Sequence, residues 1–142
     1  IKIISSGVWT AQREEWEPIF AFAKNMGMEF ISAEPAREDW DNVEELAEKY
    51  QIKVAAHNHP SVNSYWEPEI LLNSIEGKSD LLGACADVGH YKRMGLDPIV
   101  STLFAFCLGM SSEIIASFKR NFATKCPSPS FKCGQIRTVS SK

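Results

Sequence analysis

The sequence predicts an α/β fold built on a parallel sheet, and three observations carry that reading. Short apolar runs alternate with stretches whose apolar residues recur at three- and four-residue spacing, in the order βαβαβαβα. The apolar runs are nearly continuous, as in strands that helices cover. Polar residues able to bind a metal then follow successive strands at Glu34, His57 and Asp87, 23 and 30 residues apart, a normal period for a β/α unit.

Ile1–Ser5 (IKIIS) reads as the first strand, and Gly7 ends it. From Ala11 to Met26, Trp16, Ile19, Phe20, Ala23 and Met26 form a helical stripe, with Glu14, Glu15 and Glu17 near the positive end of the helix dipole. Trp16 belongs to the core. Gly27 suits the residue just past the helix. Met28–Ala33 (MEFISA) is the next strand and stops at Glu34-Pro35. Asp39 or Asp41 can cap a second helix. There Val43, Leu46, Ala47 and Tyr50 line one face, and Glu44, Glu45, Glu48 and Lys49 a solvated one. Ile52–Ala56 runs straight into His57-Asn58-His59-Pro60. After a polar, aromatic loop, Pro68 opens a short helix over Glu69–Ile75. Leu81–Ala86 is a buried strand containing Cys85, read as a buried hydrophobe, and it ends at Asp87-Val88-Gly89-His90. Tyr91–Met94 with Gly95 reads as a turn, and Asp97-Pro98 opens a helix to about Leu108.

Composition bounds the function. A chain of 142 residues with 44% hydrophobic and 23% charged residues is an ordinary globular domain. No apolar run approaches the length of a membrane span, and no signal-peptide pattern is visible. The chain begins at Ile1, so it reads as a processed product or a piece of something longer. Cys85, Cys107, Cys126 and Cys133 are too scattered for a disulfide framework, so a reduced, cytoplasmic compartment is the default expectation. All 18 acidic residues and nine of the 15 Lys/Arg lie in residues 1–113, a net −9; residues 114–142 hold the other six Lys/Arg, a net +6. An acidic body argues against a phosphate backbone as partner.

The chemistry collects at the strand ends. Glu34, His57, His59, Asp87 and His90 all lie at or just past the C-terminal end of a predicted parallel strand, the edge that carries active sites in α/β folds. Carboxylate plus imidazole is a usual ligand mix for Mn²⁺, Fe²⁺, Co²⁺ or Zn²⁺. Each residue also has a plainer reading. Glu34 can cap a loop or pair with Arg37. His57 and His59, two apart, point to one side of an extended segment, which favours ligation or substrate contact over packing. Asp87, after an apolar strand, needs hydrogen-bond partners or a cation to offset desolvation. His90 can contact a molecule held by Asp87. Trp66 and Tyr65 can stack on a sugar face, whereas Trp40 reads as core packing.

With these residues in view, I-S-A-E-P (31–35), D-W-D-N-V-E-E-L-A-E-K-Y (39–50), H-N-H-P (57–60) and A-D-V-G-H (86–90) resemble the sugar phosphate isomerase/epimerase family of xylose-isomerase-like TIM barrels. The resemblance covers residues 1–99 and is most specific at A-D-V-G-H. It implies a partial (β/α)8 barrel of about four β/α units, with Asp87 a ligand of a divalent metal (Mn²⁺, Co²⁺ or Zn²⁺) and His90 a substrate contact. Where the strand ends in His57, the epimerase branch usually has a metal-binding Glu, so His57 or His59 is read as a ligand, His59 also as a substrate donor. Glu34 is the strand-end carboxylate left to act as base, and Trp66 is a substrate contact.

The implied activity is metal-assisted isomerisation or epimerisation of a sugar or sugar phosphate by proton removal next to a carbonyl. A lyase, dehydratase or hydrolase acting on oxidised sugars would use the same chemistry. A third reading is a non-catalytic barrel remnant that self-associates through open sheet edges. Nuclease action, known in the same superfamily, fits poorly with the acidic body; neither nucleic acid nor a membrane is an expected partner. Residues 100–142 show no family resemblance, and the family's next metal-binding His and Glu are absent. We expect there a basic tail from a broken reading frame, or a divergent one with a helix at Ile114–Phe122 and a disordered end from Pro127 to Lys142.

Overall fold

The computed structural model describes residues 1–60 and 65–106. The expectations for the helix at Ile114–Phe122, for the end from Pro127, and for Cys107, Cys126 and Cys133 lie outside the described residues.

Four strands make one parallel sheet in chain order: β1 (Val8–Trp9), β2 (Phe30–Ala33), β3 (Lys53–His57) and β4 (Leu82–Cys85). Between and after them run α1 (Trp16–Asn25), α2 (Trp40–Tyr50), α3 (Pro68–Ile75), α4 (Val88–Arg93) and α5 (Pro98–Phe106). Strands added in sequence order, each returning through a helix, form the wall of a (β/α)8 barrel. The fold class predicted from sequence is the one observed.

Burial follows the strand alternation. Ile31 and Ala33 of β2, and Val54 and Ala56 of β3, are sealed against Trp16, Phe20, Ala23, Val43 and Ala47 of α1 and α2. Ser32, Ala55, His57, Gly83 and Cys85 alternate with them and carry small or polar side chains. Cys85 is half-buried at the end of β4, because it falls on this second face and not in the helix-covered core.

Several local expectations are corrected. Ile1–Ser5 is not a strand: Ile1, Ile3 and Ile4 are exposed, and the Ile4 carbonyl accepts from Glu29 N at 2.9 Å and Phe30 N at 3.5 Å, at the start of β2. Three residues past Ser5, Val8 and Trp9 pair with Ser32 and Ala33 instead. The first helix opens with a 3₁₀ turn at Arg13–Glu15 before α1. Asp39 occupies the N-cap of α2, yet its carboxylate takes Arg13 Nη1 at 3.1 Å instead of a backbone N–H. Glu44 is not simply solvated, since it accepts from Ser79 N at 2.6 Å and from Lys78, tying α2 to the approach to β4. The turn expected at Tyr91–Met94 is the second half of α4, closed by Gly95 at φ +77°.

Candidate metal centre at the strand ends

The register sets the site. Ala33 stands opposite Ala56 and His57 opposite Cys85, so the next residue on β2, Glu34, comes level with His57. Two residues past Cys85, Asp87 returns to the side of the sheet that His57 faces. Four elements or their ends therefore supply five polar side chains to one place. Glu34 comes from β2, His57 and His59 from β3, Asp87 from β4, and His90 from α4.

Glu34 and His57 are nearly sealed, with side chains 9% and 12% exposed. Asp87 and His59 are open, at 42% and 54%. Glu34 Oε1 lies 2.9 Å from His57 Nδ1 and 3.2 Å from His59 Nδ1. An ionised carboxylate only accepts, so both imidazoles donate from Nδ1. Neutral His57 then carries its lone pair on Nε2, which faces Asp87 Oδ2 at 4.0 Å. His90 Nε2 stands 3.6 Å from the same oxygen. The His90 ring is perpendicular to that of His57 at 5.3 Å and parallel to that of His59 at 5.0 Å.

Asp87 is held by its other oxygen. Oδ1 accepts from Gly89 N at 2.8 Å and His90 N at 3.1 Å, capping α4 and turning Oδ2 toward the imidazoles. Burial pushes the Asp87 carboxyl up, but those two N–H groups and the charges of His90 and His57 outweigh it, so the net shift is downward. Burial holds His90 below its ordinary value; Asp87 opposes this, and His57, Arg93 and His59 add to it.

Asn58, between the two histidines, is a residue that sequence reasoning passed over. It is fully buried, donates from Nδ2 to Asp87 O at 3.0 Å and accepts from Asp87 N at 2.6 Å. This pair of bonds fastens the end of β3 to the end of β4 and so sets the spacing of His57 and Asp87. Alternation alone carried the signal: if His57 and His59 face one side, Asn58 faces the other.

The aromatic residues divide. Tyr65 is not a stacking platform: it is buried, accepts from Trp40 Nε1 at 2.8 Å and donates to Pro35 O at 2.5 Å, bracing the turn that follows Glu34. Burial raises its pKa to about 12. Trp40 packs in the core, as read from sequence. Trp66 is half-buried just before α3 and makes no hydrogen bond or ring contact with Glu34, His57, Asp87 or His90. A cavity of about 360 Å³ has Glu34 in its wall, together with Thr10, Gln12, Arg37 and Tyr65.

The donor set fits a divalent cation. One nitrogen or oxygen each from His57, Asp87 and His90 lie within 4.8 Å of one another. A carboxylate backing a histidine whose other nitrogen faces a second carboxylate is the usual outer support of a metal-binding imidazole. A lone pair aimed at a carboxylate also calls for positive charge between the two, a proton or a cation.

No protein-family model matches the chain, and no curated protein does. Solved structures do, among them the following two. One, from Parabacteroides distasonis ATCC 8503, is an uncharacterized protein, 40% identical over 70% of this chain and 40% of its own, with a TM-score of 0.55. The other is a D-tagatose 3-epimerase-like protein, 23% identical over 63% of this chain and 40% of its own, with a TM-score of 0.53. The present chain spans 40% of the length of each. The likeness shows the fold: four β/α units of a partial (β/α)8 barrel.

Proposed function

We propose that the strand-end cluster is the metal site of a sugar isomerase or epimerase acting on an aldo- or keto-sugar or its phosphate. The observation that carries this is the relay Glu34–His57–Asp87: Nδ1 of His57 on Glu34 at 2.9 Å, Nε2 toward Asp87 at 4.0 Å. It sits at the edge of a parallel sheet where barrel enzymes do their chemistry. Similarity to a D-tagatose 3-epimerase-like protein supports the substrate class.

In this reading Asp87 and His57 would hold Mn²⁺, Co²⁺ or Zn²⁺. A bound divalent ion supplies Lewis acidity to neighbouring carbonyl and hydroxyl oxygens, which makes the C–H between them easier to deprotonate. The chain's own residues do the rest. Glu34 Oε1 orients His57, and Glu34, in the cavity wall, is the carboxylate this reading assigns as the base. His59 and His90 border the site as contacts to sugar oxygens, and Arg37 in the cavity wall gives a phosphate group a cation.

The test is exchange of the substrate's α-proton with solvent deuterium, followed by NMR over a panel of aldo- and keto-sugars with Mn²⁺, Co²⁺ or Zn²⁺. Metal-dependent exchange that Asp87→Ala abolishes supports the reading. Loss of water or cleavage of an oxidised sugar in place of exchange would identify a lyase or hydrolase. No turnover of any sugar, with metal bound, would leave a binding or remnant role.

A further inference from the structure

The two rings that face Asp87 have opposite surroundings on their far sides. Behind His57 is the Glu34 carboxylate, which accepts. Behind His90 is the Arg93 guanidinium, whose Nη1 lies 3.0 Å from His90 Nδ1. A guanidinium has only donors and does not lose its proton, so Nδ1 of His90 must be the acceptor in this contact. The proton of the neutral imidazole therefore sits on Nε2, the atom 3.6 Å from Asp87 Oδ2.

We propose that Arg93 is a positioning residue that holds His90 as its Nε2–H tautomer, so that His90 is a hydrogen-bond donor to a sugar oxygen and not a metal ligand. This rests on the metal-dependent sugar reading for the site. Proximity alone groups His57, Asp87 and His90 as three candidate ligands. The outer partners separate them. His57 Nε2 presents a lone pair, as ligation requires, whereas His90 Nε2 presents a proton, which an electron-rich oxygen can accept and a cation cannot. One turn of α4 builds the device: Asp87 caps the helix, His90 is its third residue, and Arg93 follows three residues later on the same face.

Long-range ¹H–¹⁵N NMR of the imidazoles tests this on the full 142-residue chain at about pH 8, where histidines are largely neutral. In the native protein His90 Nδ1 is expected to show the shift of an unprotonated nitrogen, and His57 the reverse pattern. Added Zn²⁺ should move the His57 Nε2 resonance and leave the His90 Nε2–H in place. Arg93 is exposed, so its variants keep the fold. Arg93→Glu puts an acceptor behind the ring; the His90 tautomer should reverse, and both rings should then respond to Zn²⁺. Arg93→Lys, again a donor only, should retain the native tautomer. A proton on His90 Nδ1 in the native protein, displacement of its Nε2 proton by Zn²⁺, or an unchanged tautomer in Arg93→Glu would overturn the proposal. Should Zn²⁺ move neither ring in the native protein, the metal reading fails by itself, and the tautomers alone decide the role of Arg93.

Discussion

Glu34 Oε1 lies 2.9 Å from His57 Nδ1 and, in the proposed site, orients that ring. Replacing Glu34 by Gln keeps the shape but no longer forces the His57 proton onto Nδ1, because the amide can donate as well as accept. Glu34→Gln is expected to weaken divalent-ion binding about 10- to 100-fold with little change in the fold, read by calorimetric titration. His90 yields a second prediction. Its ordinary value is 6.5 and the fold lowers it, so the folded state favours the neutral ring. Stability tied to that preference is complete above about pH 6.5 and falls as the pH drops through it, because the unfolded chain binds the proton more readily. His90→Gln should therefore melt with a shallower dependence between about pH 7 and pH 5 than the native protein, both without metal. The strand-end residues were legible in the sequence because alternation and strand length place them there. Asn58 and Arg93 were not, because their roles depend on partners: Asp87, 29 residues away, for one, and the orientation of a ring for the other.

The end of β3 and the start of α4 behave as a single unit, because Asn58 bonds both backbone groups of Asp87. Asn58→Ala leaves the Asp87 N–H without its protein partner in a partly buried setting and opens a small void, while the Asp87 C=O keeps its bonds from His90 N and Tyr91 N. A loss of about 2 kcal/mol in chemical denaturation is expected, with a larger proportional loss of metal affinity, since the spacing of His57 and Asp87 is no longer held. Strong periodicity made α1 and α2 readable from sequence, and apolar runs marked β2, β3 and β4. The first strand was misplaced because isoleucine-rich Ile1–Ser5 has high strand propensity, while pairing with β2 falls to Val8 and Trp9. The second half of α4 was read as a turn because six residues containing Gly89 leave too short a window for a helical period. No sequence pattern gives the register that brings Glu34 level with His57.

Across the whole molecule, the sheet presents one face to α1 and α2 and keeps small residues on the other, as the inner wall of a barrel does. Ser32 Oγ, on that second face, is buried without a hydrogen-bond partner among the described residues. Also among the described residues, the outer edges of β1 and β4 pair with no strand, and no helix is long and apolar enough to cross a membrane. Open parallel edges favour association with further strands. Sedimentation of this chain is therefore expected to show concentration-dependent self-association, whereas a monomer at every concentration would argue that the edges are covered. Whether these four β/α units assemble a divalent-ion site is read most directly from thermal unfolding with and without Mn²⁺, Co²⁺ and Zn²⁺, on the native chain and on Asp87→Ala. A ligand at a hundredfold excess over its Kd, binding only the folded state, adds about 2.7 kcal/mol. A cooperative melt that rises with metal in the native chain and not in Asp87→Ala is expected. A melt indifferent to metal, or a rise that survives the substitution, would contradict the proposed site.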